Sequence, residues 1–400
     1  MIFELFIAKR LSKSNLNKNY YSGPINTICT LAIAISIIIM IIATSSGNGL
    51  KQAIKNNAIN IESHIKITGL YNNNETEFIH LDLDILNTIN DVQSIHPIVT
   101  KSAIISNENN IEGIILKGID LSYKQKHIKE SIVTGTFFDN NPNELIISTE
   151  HANKLNLKVG DKCILYFLSK NNNIQKRKFI ITGTYKMANE MLDQFYVFTK
   201  KEAIQKINRW DNDKVTSYEI TLKKNSNTIT TTQKINSILP YDLVAKSIDS
   251  QFPGIFNWIK LFDKNISFIL IIMSIICIIN MSNALLILVI ERFKMIGILK
   301  SYGASNYKIL KIFLYNSFKI SINSVLIGNI IGIGICIIQQ KTQIIQMDSA
   351  SYFVNYLPIY LDYNLIIIIN ILIIIITQLG MILPYYIIQK LSPSNILKIN

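Results

Sequence analysis

Residues 266–290 read ISFILIIMSIICIINMSNALLILVI, a run without one charged side chain. An α-helix needs about 20 apolar residues to cross the ~30 Å hydrocarbon core of a bilayer, and this run is long enough. Three further uncharged runs, Asn26 to Ser46, Ile320 to Ile338 and Leu365 to Leu383, have the same character. Of 400 residues, 49% are apolar and 17% charged, and the mean hydropathy is +0.27, which excludes an ordinary soluble enzyme. The composition is rich in Ile, Asn and Lys, as A+T-rich codons favour, so the placement of the apolar residues carries the argument. The expectation is an integral membrane α-helical protein with four transmembrane helices, at 26–46, 266–290, 320–338 and 365–383.

The net charge of +13 is spread along the chain, with no single basic face. Lys9, Arg10, Lys13 and Lys18 precede the first run, and Arg292, Lys294, Lys300, Lys308, Lys311 and Lys319 lie between the second and third. Residues 339–364 hold only Lys341 against Asp348 and Asp362. The positive-inside rule then puts an amphipathic amino-terminal segment (1–25), the 291–319 loop and the 384–400 tail in the cytoplasm, and the short 339–364 loop outside. This is a topology signal, and no nucleic acid partner is implied. A basic start before an apolar run ending in small residues also describes a secretory signal, but the first run exceeds a 7–15-residue signal core and is expected to be retained. Cys29, Cys277 and Cys336 fall in predicted spans, leaving Cys163 alone outside, so no intrachain disulfide is expected.

The remaining mass, residues 47–265, lies between the first two spans and is long enough for a core of its own. Its alternating runs predict a large mixed α/β extracytoplasmic domain inserted between helices 1 and 2. Strands are expected near 64–68, 95–105, 111–119, 144–148, 163–168, 175–185, 194–198, 217–222 and 242–246. Helices are expected at 84–90, 149–155, 200–208 and 228–239, and turns at Ser106–Asn110, Gly160–Asp161 and Asn171–Asn173. A helix from Phe252 should run into the second span, interrupted only by Pro253 and Gly254 near its start. Catalytic signatures are absent. Gly113 to Gly118 has phosphate-loop spacing, but Ile119 and Asp120 stand where Lys and Ser or Thr belong, and His64, His80, His96, His127 and His151 lack metal-ligand spacing. Neither catalytic residues nor a cofactor is implied.

The segment after the second span, Glu291 to Phe313, reads ERFKMIGILKSYGASNYKILKIF. Met295, Ile296, Ile298 and Leu299 give one apolar side and Lys294 and Lys300 a wet one. Gly303, Ala304 and Ser305 break the helix, and a second amphipathic helix from Asn306 leads through Ile309, Ile312 and Phe313 to the third span. The expectation is a helical hairpin on the cytoplasmic surface. The segment resembles the signature of the FtsX-like permease family, ERxxEIGxLKAxGAS. Glu291, Arg292, Ile296, Gly297, Leu299, Lys300, Gly303, Ala304 and Ser305 match it, whereas Met295 replaces the usual acidic residue. Leu383 and Pro384, then Ser392 to Lys398, resemble the closing pattern of that family. Phe6 to Arg10, Ser63 to Thr68, Ile115 to Asp120 and Leu155 to Leu165 resemble segments of its lipoprotein-release branch, the Lol type.

The resemblance implies a non-catalytic permease subunit of the bacterial inner membrane, paired with a separate ABC ATP-binding subunit and with a second permease subunit as homo- or heterodimer. It implies lipoprotein substrates, membrane lipids as surroundings and a periplasmic lipoprotein carrier, with ATP hydrolysis transmitted mechanically through residues 291 to 313. An efflux permease of the MacB type and an FtsX-type regulator of a cell-wall hydrolase share the layout. Extracting a lipid anchor requires an apolar groove open sideways near the outer surface. Ile38, Met40, Ile41 and Ile42 on the first span, and Phe268, Ile271, Ile272 and Met273 on the second, are the expected lipid-facing positions. Gly328 and Gly332, a small-xxx-small pair on the third span, with Gly334 beside them, are the expected positions of close helix packing.

Overall fold

The computed structural model of the chain describes residues 22–70, 79, 81, 83–107, 110–120, 123, 125–138, 141–168, 173–187, 193–224, 226–348, 352 and 354–390. Phe6 to Arg10, His80, the hairpin tip at 108–109, Asn171, Asn172 and the closing Ser392 to Lys398 pattern lie outside the described residues. The described residues form two compact units. One runs up to Lys51, from Ile259 to Ile345 and from Leu357 onward, and the other comprises Gln52–Trp258 with Gln346–Tyr356.

The first unit is helical. Its elements are α1 (Ser22–Glu62), which continues into the second unit, and α8 (Pro253–Glu291), which begins there. They are followed by α9 (Phe293–Ser301), α10 (Asn306–Thr342), α11 (Tyr363–Leu379) and α12 (Ile382–Lys390). Among the described residues, four helices are long and apolar enough to cross a membrane. Three of them extend well past the apolar runs that announced them, since α1, α8 and α10 each reach about 55–60 Å at about 1.5 Å per residue, nearly twice a bilayer core. Pro253 opens α8 at its first helical position, where a missing N–H costs nothing, so Pro253 and Gly254 start this helix instead of interrupting it. The fourth run also differs from expectation: α11 ends at Leu379, Gly380 and Met381 break it, and Leu383 and Pro384 sit in the first turn of α12. A Cβ on Gly380 would lie 3.0 Å from Ile278 O, so the break brings this corner close against α8.

Ile33, Ile37, Met40 and Ile41 of α1 form one core with Cys277, Met281 and Leu285 of α8, Phe313 of α10 and Ile373 of α11. Lipid is as apolar as these side chains, so close packing and polar contacts must hold the helices together. Both are present. Gly328 and Gly332 lie buried against α1, where added Cβ atoms would stand 2.8 Å from Ile37 Cβ and 3.3 Å from Ile41 Cδ1, whereas Gly334 faces open space. Between α10 and α11 runs a polar ladder: Ser317 donates to Gln378 Oε1 (2.7 Å), Ser321 and Thr377 hydroxyls meet at 2.8 Å, and Asn370 Nδ2 donates to Asn329 Oδ1 (3.1 Å). Each such bond contributes about 1 kcal/mol in a membrane.

The second unit contains β1 (Ile65–Gly69), α2 (Leu83–Asn87), β2 (Val92–Asn107), β3 (Asn110–Ile119), α3 (Gln125–Glu130) and β4 (Ile132–Gly135). After these come β5 (Glu144–Ser148), α4 (Thr149–Lys154), β6 (Lys162–Leu168), β7 (Ile174–Tyr185) and β8 (Tyr196–Lys200). The unit closes with α5 (Lys201–Asn208), β9 (Ser217–Leu222), α6 (Thr228–Ile238), β10 (Leu243–Ser247) and α7 (Ile248–Gln251). Among the described residues the strands form one sheet, β10-β1-β9-β2-β3-β8-β5-β7-β4, with β6 pairing both β2 and β7. Those pairings close a ring through β2, β3, β8, β5, β7 and β6. The long β2 serves both halves, pairing β9 over 92–98 and β3 over 99–107. Gly113 to Gly118 lies inside β3, fully laddered to β2, so its glycine spacing makes no loop.

Residues 346–356, expected to be part of a plain connecting loop, belong to this unit. Gln346 bridges Tyr356, Met347 N–H donates to Asn355 O, and the ring of Tyr352 lies 6.4 Å from that of Trp258.

Where α1 ends, a charged cluster is buried. Lys117 Nζ on β3 lies 2.6 Å from Glu219 Oε1 on β9 and 3.9 Å from Glu62 Oε1, the last residue of α1. It donates to Ile61 O (2.6 Å), a helix-end carbonyl that also accepts from Tyr123 Oη at 3.1 Å. The single hydroxyl hydrogen of Tyr123 is shared with Glu219, Ser63 Oγ donates to Glu219 Oε2 (3.2 Å), and Lys66 reaches Glu62 at 3.1 Å. Two carboxylates thus meet two ammonium groups, and a helix C-terminus receives positive charge, as its dipole favours. Burial, and then the Glu219 carboxylate, hold the Tyr123 phenol well above its usual range, so it stays a neutral donor.

Candidate functional site

The segment between α8 and α10 forms a helical hairpin. Glu291 closes α8, and Arg292 leaves helical geometry (φ −103°, ψ 18°) for one residue while its N–H still reaches Leu288 O and its carbonyl starts α9 by accepting from Ile296 N–H. The nine residues of α9 follow at once. Its end is a Schellman turn: Gly303 N–H donates to Lys300 O (3.0 Å), Ala304 N–H to Leu299 O (2.9 Å), and Gly303 takes φ +83°. Only a residue without Cβ enters that conformation freely. Ser305 is extended (φ −68°, ψ 152°) and its carbonyl accepts from Lys308 and Ile309 N–H to open α10, with no side-chain cap.

One face of the hairpin is held by the helical core. Ile296, Gly297, Ile309, Ile312 and Phe313 are buried, and Leu299 and Ala304 are half-buried. Lys300 Nζ donates to Ile388 O of α12 (2.7 Å), which ties the hairpin to the last helix, and burial lowers the ammonium from its usual range. The opposite face is presented: Ile298 is 48% exposed, Tyr302 87% and Tyr307 61%, with Lys311 Nζ 4.8 Å from the Tyr307 ring centre. Both carboxylate oxygens of Glu291 are out of solvent and make no hydrogen bond among the described residues. The hairpin thus offers an apolar and aromatic patch beside that acid.

The hairpin was legible because Gly303 follows an amphipathic run. The exposure of Tyr302 and Tyr307 was not, because the sequence does not say which aromatic residues stay uncovered. On the second apolar helix Phe268 (64%) and Ile271 (59%) are exposed and Ile272 is half-buried, whereas Met40 and Ile41 are corrected. They are 1% and 0% exposed and pack inside the helical core, so they do not face lipid. The outward face of α1 carries Ile35 (55%) and Ile39 (37%), and Ile39 is one residue back from Met40 and about 100° around the helix.

Apolar helices of membrane length together with a β-rich unit are the layout of a membrane protein with a domain outside the bilayer. Residues 267–393 match the model of the FtsX-like permease C-terminal domain and residues 27–238 that of the MacB-like periplasmic core domain; the chain belongs to the FtsX-like permease family and is an ABC transporter permease of the bacterial inner membrane. It is 26% identical to the lipoprotein-releasing system transmembrane protein LolC of Buchnera aphidicola subsp. Acyrthosiphon pisum, over 98% of both chains. It is 22% identical to the LolE protein of Haemophilus influenzae, again over 98% of both. The periplasmic region of MacB from Actinobacillus actinomycetemcomitans aligns with 48% of this chain and 92% of its own at 14% identity and a TM-score of 0.34.

Proposed function

We propose that this chain is a non-catalytic permease subunit through which ATP hydrolysis in a separate ABC subunit drives release of lipoproteins from the inner membrane. End-to-end similarity to proteins named for lipoprotein release carries this reading. The hairpin supplies the coupling: Glu291, Arg292, Ile296, Gly297, Leu299, Lys300, Gly303, Ala304 and Ser305 form or brace the surface against which the ATPase pushes. Its cytoplasmic position follows from the basic residues of the 291–319 loop, and both termini lie on the same side. Movement of the hairpin tilts α8 and, through the shared core, α1; both helices carry residues of the β-rich unit, so the motion continues into it. A second permease subunit completes the assembly, and a periplasmic carrier receives the lipoprotein.

The acyl chains of the substrate meet the exposed apolar side of α8, at Phe268 and Ile271, with Ile39 on α1. A photo-crosslinker at Ile271 should capture a lipoprotein in membranes before ATP is added and lose it afterwards, while one at Met40 captures neither lipoprotein nor lipid. Labelling of bulk phospholipid alone at Ile271, unchanged by ATP, would remove lipoprotein release as the function.

A further inference from the structure

Helix α1 ends inside the β-rich unit, where side chains of β3, β8 and β9 close on its last turn. Lys117 Nζ reaches Ile61 O from β3, the Tyr196 hydroxyl of β8 faces Glu62, and Glu219 of β9 meets both Lys117 and Ser63. The rings of Tyr123 and Tyr196 flank the same ammonium, with centres at 5.3 and 5.5 Å. Lys117, Glu219, Glu62 and Ser63 are each at most 1% exposed. Ser63 leaves the helix at φ +68°, a left-handed conformation that glycine takes without strain. The serine keeps that strain and with it a hydroxyl that reaches Glu219, a contact glycine would forfeit.

Stability alone does not call for this arrangement. Well-packed apolar residues in place of buried ions are often as stable or more so, and apolar contact has no preferred direction. Hydrogen bonds do have one. A helix end held by apolar packing can turn or slide against a sheet, whereas here a slip of one residue, about 1.5 Å and 100°, takes Ile61 O and Glu62 away from their partners. The other long helix that enters the unit, α8, starts from Phe252 (φ −120°, ψ 61°), Pro253 and Gly254, where an added Cβ on Gly254 would meet nothing within 4 Å. One connection is gripped by directional bonds, and the other passes an open corner.

We propose that this cluster is a rotational lock through which α1 drives the β-rich unit, with Lys117, Glu219 and Ser63 as positioning residues that fix the angle and height of the helix end. Its part in coupling rests on the permease reading above; the lock itself does not.

The lock is read by the distance between spin labels placed through Asn56→Cys on α1 and Gln93→Cys on β2, both exposed positions, in the full chain in nanodiscs; the four native thiols are buried. The otherwise unaltered chain should give one narrow distance distribution, and Lys117→Met/Glu219→Leu a broad one. Coupling is read in the complex with its ATPase as lipoprotein released per ATP hydrolysed, which should fall about fivefold or more in the double variant, the lower end of couplings between distant sites. Ser63→Gly separates grip from stability. It exchanges the hydroxyl for relief of strain, so it should melt no lower than Ile235→Val, a core change outside the lock, yet show both defects where Ile235→Val shows neither. A narrow distribution in the double variant or in Ser63→Gly would overturn the lock. Unchanged release per ATP in these variants, or an equal fall in Ile235→Val, would overturn its part in coupling. A parent complex that hydrolyses ATP and releases no lipoprotein would instead remove the permease reading, and the distance measurement would still decide the lock.

Discussion

At Gly303 the chain turns through φ +83° with both Schellman hydrogen bonds in place, and nothing lies within 4 Å of an added Cβ. The objection to a side chain there is conformational and not spatial. Gly303→Val should insert normally yet lose ATPase stimulation by the partner about tenfold, since a left-handed non-glycine costs roughly 1–2 kcal/mol and ~1.4 kcal/mol is a factor of ten; normal stimulation would show that the turn transmits nothing. Lys117 poses the opposite problem, a charge fully enclosed. Lys117→Met leaves Glu62 and Glu219 facing each other and should lower stability by about 3–5 kcal/mol, with partial recovery in Lys117→Met/Glu219→Leu, measured by thermal unfolding in detergent. His151, 2% exposed at the start of α4, has its Nδ1 3.0 Å from Ser148 Oγ, and burial lowers its affinity for protons below the ordinary value of 6.5. The unfolded chain therefore takes up a proton that the folded chain resists. Its contribution is complete above about pH 6.5 and declines as pH falls through that value, and His151→Gln should flatten this limb of the stability profile. The sequence placed the glycine through its amphipathic context, but a lysine in the apolar run ILKGID was the sole trace of the buried cluster, whose partners are far away along the chain.

Elements with one wet face were readable and elements buried all round were readable only in part. Strands β2, β3 and β7 declared themselves through alternation, whereas β4, four residues with three of them exposed, gave no pattern. Helix α1 was expected to stop at the last apolar residues near Ser46, yet it continues to Glu62 because polar GLKQAIKNNAINIE still has helical spacing, with Leu50, Ile54, Ala58 and Ile61 buried. The facing of Met40 and Ile41 was unreadable for a physical reason. In a helix apolar on every side, no polar stripe marks the side that meets lipid. Small residues restore some of that information. Gly328→Leu should drive a side chain into Ile37 and destabilise the α1–α10 pair by about 1–3 kcal/mol, whereas Gly334→Leu, in open space, should be close to neutral. Equal thermal shifts for the two variants would mean that close approach at Gly328 contributes nothing.

At the scale of the whole molecule, the four apolar helices and the presence of a β-rich unit followed from apolar runs and alternation. The membership of residues 346–356 did not, because it is a tertiary fact about a segment too short to carry a period. This strip makes the β-rich unit discontinuous along the chain: the Tyr352 ring lies tilted beside that of Trp258 from a point beyond α10. A fragment spanning 52–258 should accordingly be less resistant to protease than the same fragment supplied with a 346–356 peptide, and equal resistance would mean that the strip is only a passenger. The same feature limits how such proteins exchange parts. A hybrid that imports 52–258 from a relative inherits one half of a matched surface and keeps the other half from its host, so recombination at the apparent module borders yields mismatched offspring. A viable transplant carries both segments together, and substitutions at Trp258 and Tyr352 are expected to arise in pairs.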